Sequence, residues 1–355
     1  MYTREREKCP EAFVKNGKPV FGTFEGLPHR LDIRGIKNPY GLVQGLTYLT
    51  NLRIKSRVSF FFSAGDYTGC VDFFDAKILG FQEICFWNRK TNQRFVYRNV
   101  SGPRRRLVPH DMERAHTASF NKSRYVRISW DRFLDKISLV FNLKGHSVRP
   151  SANASFIASF SNPCTGQMTL SVPFPTMQRS SASSFIAGPL HGALTLLPRN
   201  SKAKTMEDSQ GSFFLEVARS YTKFRTNGEM ITGLGSSSGH EIEFRISATS
   251  QDSVNPEKYN QNMLFVDGKA TPLPPVKITH PYGTMNEWVI QDTEGMVDLT
   301  FTPLSENLNT INIIVVRTHY HSIFGNLEGT LMTEDGNKVS FKKLPGIAKK
   351  FSIRL

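Results

Sequence analysis

The run Val297-Asp298-Leu299-Thr300-Phe301-Thr302 alternates strictly between apolar and polar side chains. A period of two puts every apolar residue on one face of a β-strand, whereas a helix would scatter them. The surrounding stretch, Asn262 to Leu355, repeats the theme. NMLFVDGKATPL, EWVIQDTEGMVDLTFTPL and INIIVVRTHYHSIFGNLEGTLMTEDGNKVSF are apolar runs interrupted by Asp-Gly or Glu-Gly. Asp267-Gly268 and Asp335-Gly336 suit tight hairpin turns, which need residues that tolerate positive φ. This stretch is therefore expected to form an up-and-down antiparallel meander.

The rest of the chain reads the same way. VSFFF (58–62), VDFFD (71–75), RFVYR (94–98), RYVRISW (124–130), KISLVFN (136–142), ASFIASF (154–160) and FFLEVARSY (213–221) are strand-like, and 27 phenylalanines suit β-rich interiors. In RYVRISW, Val126, Ile128 and Trp130 share one face, and Tyr125, Arg127 and Ser129 the other. Leu42 to Leu49 can form a helical turn or two, weakened by Gly45. No longer segment shows the 3.6-residue period, so the fold class is all-β, built from barrels or sandwiches. A chain of 355 residues is long enough for two domains. Proline and serine concentrate in PFPTMQRSSASS (173–184), the best linker candidate. The expected division is a basic N-terminal domain with an extended lead-in, 1–180, and a neutral C-terminal domain, 181–355. RNSKAKTMEDSQG (199–211) reads as an exposed loop and Asn227-Gly228 as a further hairpin turn.

Charge separates the halves. Residues 1–180 carry 28 Lys and Arg against 13 Asp and Glu, while residues 181–355 carry 17 of each. The whole net charge of +15 thus lies in the first half. Such a field favours an acidic protein partner or an anionic surface, with nucleic acid a further candidate. Arg104-Arg105-Arg106, with Arg124, Arg127 and Arg132 nearby and Tyr97, Tyr125 and Trp130 interleaved, is the candidate anionic-partner contact. The N-terminal MYTREREKCPEAF mixes acids with bases and has no apolar core of a signal peptide. No apolar run approaches the roughly 20 residues of a membrane span. The expected compartment is intracellular and cytoplasmic, where Cys9, Cys70, Cys85 and Cys164 stay as free thiols.

Chemistry is sparser. The chain has no Walker loop, dinucleotide fingerprint, HExxH or GxSxG, and no cofactor, metal or catalytic residue is assigned. His319 and His321 have a usable metal-ligand spacing but no visible third ligand. In FFLEVARSY, Arg219 shares a face with Phe213, Leu215, Val217 and Tyr221, so it needs a partner or a cavity; Glu216 points the other way. Glu83, Glu216 and Glu287 are acids flanked by apolar residues, and burial would raise their pKa toward general-acid use.

NMLFVDGKATPLPPV, EWVIQDTEGMVDLTFTPL and HSIFGNLEGTLMTEDGNKVSFKKLPGIAKKF together resemble the DUF2804 family, a domain of unknown function. GTFEGLPHRLDIRG (22–35) and FFLEVARSYTKF are weaker matches to the same family. The resemblance implies two lipocalin-like antiparallel β-barrels, closed or half-open, in tandem, related to carotenoid hydratases and tocopherol cyclases. Barrels of that kind hold apolar ligands, which makes Arg219, Tyr221 and Trp288 the ligand-binding candidates. Phe224 and Thr226 stand where the family carries tryptophans, so the aromatic lining is reduced. The functional expectation is a non-enzymatic binding or assembly protein whose basic domain meets an acidic partner. The alternatives are a binder of an apolar small molecule or lipid, and an acid-catalysed isomerase, hydratase or cyclase.

Overall fold

The computed structural model describes residues 2–40, 50–77, 79–102, 107–146, 149–198, 204–313 and 316–354. The Leu42–Leu49 turn lies outside the described residues. The lead-in holds four short strands: β1 (Arg6–Lys8), β2 (Val14–Lys15), β3 (Lys18–Pro19) and β4 (Gly22–Glu25). A first run follows: β5 (Ile54–Ala64), β6 (Tyr67–Asp75), β7 (Gly80–Asn88), β8 (Arg94–Ser101), β9 (Arg114–Asn121), β10 (Arg124–Asp131) and β11 (Lys136–Leu143). It continues through β12 (Ser151–Ala158), β13 (Gly166–Phe174), β14 (Thr176–Leu197) and β15 (Lys204–Tyr221). The second run is β16 (Arg225–Ser237), β17 (His240–Thr249), β18 (Met263–Val266), β19 (Lys269–Pro272) and β20 (Lys277–Thr279). It ends with β21 (Trp288–Gln291), β22 (Val297–Ile313), β23 (Val316–Met332) and β24 (Lys338–Arg354).

Two curled antiparallel sheets result. The first runs β8-β7-β6-β5-β15-β14-β12-β11-β10-β9, with β13 and β4 attached beside β14 and β1 parallel to β4. The second runs β19-β18-β17-β16-β24-β23-β22-β21-β20. Each has the same plan: its last strand returns to pair with its first, β15 with β5 and β24 with β16. Two half-barrels thus stand in tandem.

Alternation decides what fills them. Val126, Ile128 and Trp130 are buried in the first core, while Tyr125 and Arg127 are exposed. Phe60 and Phe213 stack in that interior, as do Phe86, Phe95, Tyr97 and Phe141. The second interior is filled by Ile231, Phe244, Ile246, Leu264, Trp288, Phe301 and their neighbours. A third apolar cluster joins the half-barrels: Phe61, Cys70, Cys85, Trp87, Phe185 and Phe214 meet Leu234, Met263, Phe265, Phe324 and Ile347. Cys9, Cys70, Cys85 and Cys164 are free thiols.

The chain changes sheets between Tyr221 and Arg225, and residue 180 falls inside β14. The serine-rich stretch is strand, not linker. Its hydroxyls are satisfied across the β13–β14 pair, Thr169 to Ser184 at 2.9 Å, and by Gln261 of the second unit, which donates to Ser181 at 2.9 Å. Small side chains there let the second unit approach. Residues 204–211 of the expected loop are part of β15, and Asn227-Gly228 lies within β16. The Asp267-Gly268 turn does form, with both residues at positive φ (49° and 79°). Among the described residues no helix is long and apolar enough to cross a membrane.

Candidate functional site

Strand alternation aims two sets of side chains at each other across the half-barrel junction. On β15 the odd residues from Phe213 to Tyr221 face the first interior, so Ser212, Phe214, Glu216, Ala218 and Ser220 face the second unit. On β17, Ile242, Phe244 and Ile246 face the second interior, which turns Glu241, Glu243, Arg245 and Ser247 outward. Ser212 donates to Glu241 at 2.8 Å, Phe214 meets Phe265 edge-on, and Glu216 meets Arg245. Arg57 of β5, Asp72 of β6, Tyr320 of β23 and Lys349 of β24 complete the junction.

Two charged groups form there. Glu216 accepts from Arg57 at 2.6 Å, with Arg245 3.4 Å from its other oxygen. Asp72 accepts from Ser59 at 2.6 Å and from Lys349 at 2.6 Å. The Lys349 ammonium also sits 4.6 Å from the Phe61 ring centroid. Burial pushes the Glu216 carboxyl up, but Arg245 and Arg57 outweigh it and hold it below the usual carboxylate range. Burial likewise opposes ionisation of Asp72, and Lys349 and Ser59 overcome it. Burial lowers the Lys349 pKa, yet Asp72 leaves it raised overall. Burial raises the Tyr320 phenol, keeping it protonated. Lys55, nearby, is lowered to about 8 by burial and by Arg53.

Open space coincides with these charges. A cavity of about 120 Å³ is lined by Arg57, Glu216, Arg245, Ser181, Ser183 and Gln261 on its polar side and by Phe174, Ala218 and Phe351 on its apolar side. A second, of about 140 Å³, lies against Asp72, Glu83, Tyr320, Phe81 and Thr318. Both are bounded by Arg57, Phe74, Met230, Phe351 and Ile353, so they form adjoining chambers of one cleft.

The residues singled out from the sequence are dispersed. Arg219 is buried in the first half-barrel, where it donates to Ser56 Oγ at 2.9 Å and to the carbonyls of Val108 and Pro109 at 2.8 and 2.7 Å. Its partners are a hydroxyl and two backbone oxygens rather than a carboxylate, and burial lowers it to about 10. Tyr221 donates to Asn51 Oδ1 at 2.9 Å at the same end. Trp288 belongs to the second core, with its indole donating to Thr284 O at 2.9 Å and its ring 4.3 Å from that of His280. Arg124 is half-buried and bonds the Arg98 carbonyl, while Arg127 and Arg132 are exposed. Arg104, Arg105 and Arg106 lie outside the described residues. Glu83 is paired with Arg98 at 2.5 Å and Glu287 is exposed. His321 pairs with Glu306 at 2.6 Å, and among the described residues no group of three His, Cys, Asp or Glu is arranged to hold a metal.

Arg57, Asp72, Arg245, Tyr320 and Lys349 were not singled out. Their signal is a polar side chain inside an otherwise apolar strand, as in RVSFFF, VDFFD and GIAKKF. That signal is shared by every half-exposed strand in the chain.

The geometry defines a tandem lipocalin-like protein whose polar cleft lies between two filled half-barrels. The profile of a family described as a domain of unknown function, DUF2804, matches residues 4–355, and the chain belongs to that family. No curated protein matches the sequence. Among solved structures, the chain is similar to an AttH-type protein of Nitrosomonas europaea at 10% identity, covering 86% of this chain and 93% of that one with a TM-score of 0.50. That likeness concerns the fold. Kievitone hydratase from Nectria haematococca is similar at 10% identity over 84% of this chain and 88% of its own, with a TM-score of 0.45.

Proposed function

We propose that this protein binds a small amphipathic carboxylate in the cleft between its half-barrels. The observation that carries the reading is the coincidence of open space with unbalanced positive charge. Lys55, Arg57, Lys223 and Arg245 line its two chambers against Asp72, Glu83 and Glu216, and of these acids Asp72 and Glu83 are already paired with Lys349 and Arg98. Arg245 makes no hydrogen bond to Glu216 Oε2, 3.4 Å away, and among the described residues its guanidinium donates to the weakly accepting Met230 sulfur, which leaves further donors to offer a ligand. The apolar walls suit a ring or a short chain, because a cavity of about 150 Å³ accommodates a benzene ring. Filled barrel interiors favour this cleft over either barrel as the ligand site. Glu216 is ionised and would accept rather than donate a proton, so the acid-catalysed alternative would rest on the Tyr320 phenol.

Titration calorimetry with benzoate and octanoate tests the reading. Binding should weaken at least about tenfold, 1.4 kcal/mol, in the paired variant Glu216→Gln/Arg245→Gln, which removes the guanidinium without stranding its partner. No binding of either acid, or equal binding by the variant, counts against it.

A second reading, contact with an acidic protein, is supported by the outer face of β9 and β10. Phe120 and Tyr125 are paired directly across these strands at 72% and 38% exposure, and Arg127 lies on the same face. Aromatic groups set among arginines suit an acidic partner. Polyglutamate binding should fall at least about tenfold between 50 and 300 mM salt and again in Arg127→Glu. Salt-independent binding would remove this reading.

A further inference from the structure

The concave face of the second half-barrel ends in a row of three arginines. Arg225 on β16 is directly opposite Arg354 on β24, which is directly opposite Arg317 on β23. Residues opposite each other in antiparallel strands point to the same face, so neighbouring guanidiniums stand about 5 Å apart at their roots. The face is the concave one, since Ile231, Ala348 and Ile323 continue the same three alternations into the second core.

Like charges placed opposite one another cost stability. Here no acidic side chain among the described residues neutralises them. All three arginines are exposed, and none makes an ion pair among the described residues. Arg354 instead lies 5.2 Å from the Phe224 ring centroid. The row is not a by-product of a basic domain: residues 222–355 hold 13 Lys and Arg against 14 Asp and Glu. Lys223 and His319 join the arginines around an open cavity of about 570 Å³ that no acidic residue lines among the described residues.

The next row inward is neutral and hydrogen-bonding. Asn227, Ser352 and His319 stand opposite one another, with Thr310 3.4 Å from the His319 ring. Deeper still, Glu229, Lys350 and His321 form a third row, in which Glu229 binds Lys350 at 3.0 Å and His280 at 2.6 Å. The concave surface thus grades from guanidinium to amide, hydroxyl and imidazole, then to an internally paired ionic row, and then to core.

We infer that this mouth binds a phosphate monoester with a hydroxylated body, its phosphoryl group held by Arg225, Arg354 and Arg317 and its hydroxyls by the Asn227, Ser352 and His319 row. Arginine forks match tetrahedral oxyanions, and several can share one dianion. The same headgroup chemistry occurs in free esters and in anionic lipids.

Calorimetry with glycerol 3-phosphate and flotation with phosphatidylcholine vesicles carrying phosphatidic acid separate these sources. One of the two probes should bind, and glycerol or vesicles of phosphatidylcholine alone should not. Arg354→Gln should weaken that binding at least about tenfold, and Arg317→Gln should do so independently. These exposed positions leave the core untouched, which the melting temperature checks, and Glu216→Gln/Arg245→Gln should keep phosphate binding intact. Failure of both probes to bind, or binding by the Arg354 and Arg317 variants as tight as that of the wild type, overturns the assignment.

Discussion

Lys349→Met is expected to lower the unfolding free energy by about 3–5 kcal/mol, because it strands a buried carboxylate. The Lys349 side chain is 1% exposed and its ammonium lies 2.6 Å from Asp72, whose own side chain is 14% exposed. With lysine gone, Asp72 keeps only the Ser59 hydroxyl and a weak contact from the Cys70 thiol at 3.6 Å. Asp72→Asn in the same chain should recover most of the loss, since a neutral pair leaves no uncompensated charge. The pH dependence has a definite sign. The Asp72 carboxyl is depressed in the folded state, so its contribution is complete above the unfolded carboxyl value near 3.9 and fades as pH falls through the folded value. The single variant should therefore differ most from wild type near neutrality and least in acid, as Asp72 takes up a proton. Urea unfolding at pH 7 and at about pH 2.5, below the unfolded carboxyl value, measures both differences. A loss below about 1 kcal/mol at pH 7 would show that water reaches the pair.

Glu243→Gln should do the opposite and stabilise the protein, by up to about 4 kcal/mol at pH 7 and by almost nothing at pH 4. Glu243 is fully buried on β17, opposite Leu234 and Phe265, and neither carboxyl oxygen has a hydrogen-bond partner. Burial, then Glu241 and Asp267, pushes its pKa well above the ordinary value. An acid whose folded pKa is raised costs nothing below the unfolded value near 4.3. It costs about 1.4 kcal/mol for each pH unit above that, until the folded pKa is reached. Glutamine copies the neutral acid and escapes the penalty. Melting temperatures of the two proteins should coincide at pH 4 and separate by several degrees at pH 7. A gap that does not change with pH would mean the carboxyl ionises freely in the folded state.

Much of the fold was legible from local pattern. The alternation in RYVRISW and in VDLTFT names the buried face of each strand, and Asp267-Gly268 names its turn, because both are nearest-neighbour properties of the chain. The family was legible too, from the closing meander. The division between units was not. A serine-rich strand has the composition of a linker, and only the approach of Gln261 and the β13–β14 pairing explain why small hydroxyl side chains stand there. Asn227-Gly228 has the sequence of a hairpin turn, but pairing on both sides holds it inside β16.

The candidate sites were the least legible part. The basic excess of the first half drew attention to Arg124, Arg127 and Arg132. The uncompensated arginine row lies instead in the half whose net charge is near zero. Net charge sums over a sequence, whereas a binding surface depends on which charges become neighbours. Arg225, Arg317 and Arg354 are far apart in the chain and adjacent only in the sheet.

The closing alternation from Val297 by itself determined that this protein is β-rich and which side of each strand is apolar. It could not say what each polar side faces. A period of two assigns a residue to a face, but the identity of the opposing surface depends on strand order and on the docking of one sheet against another. Lys349 and Asp72 are 277 residues apart and meet only because β24 returns to the centre of the second sheet and packs against the first. The tertiary structure alone made the cleft and the arginine row, since both are relations between strands that no local pattern encodes.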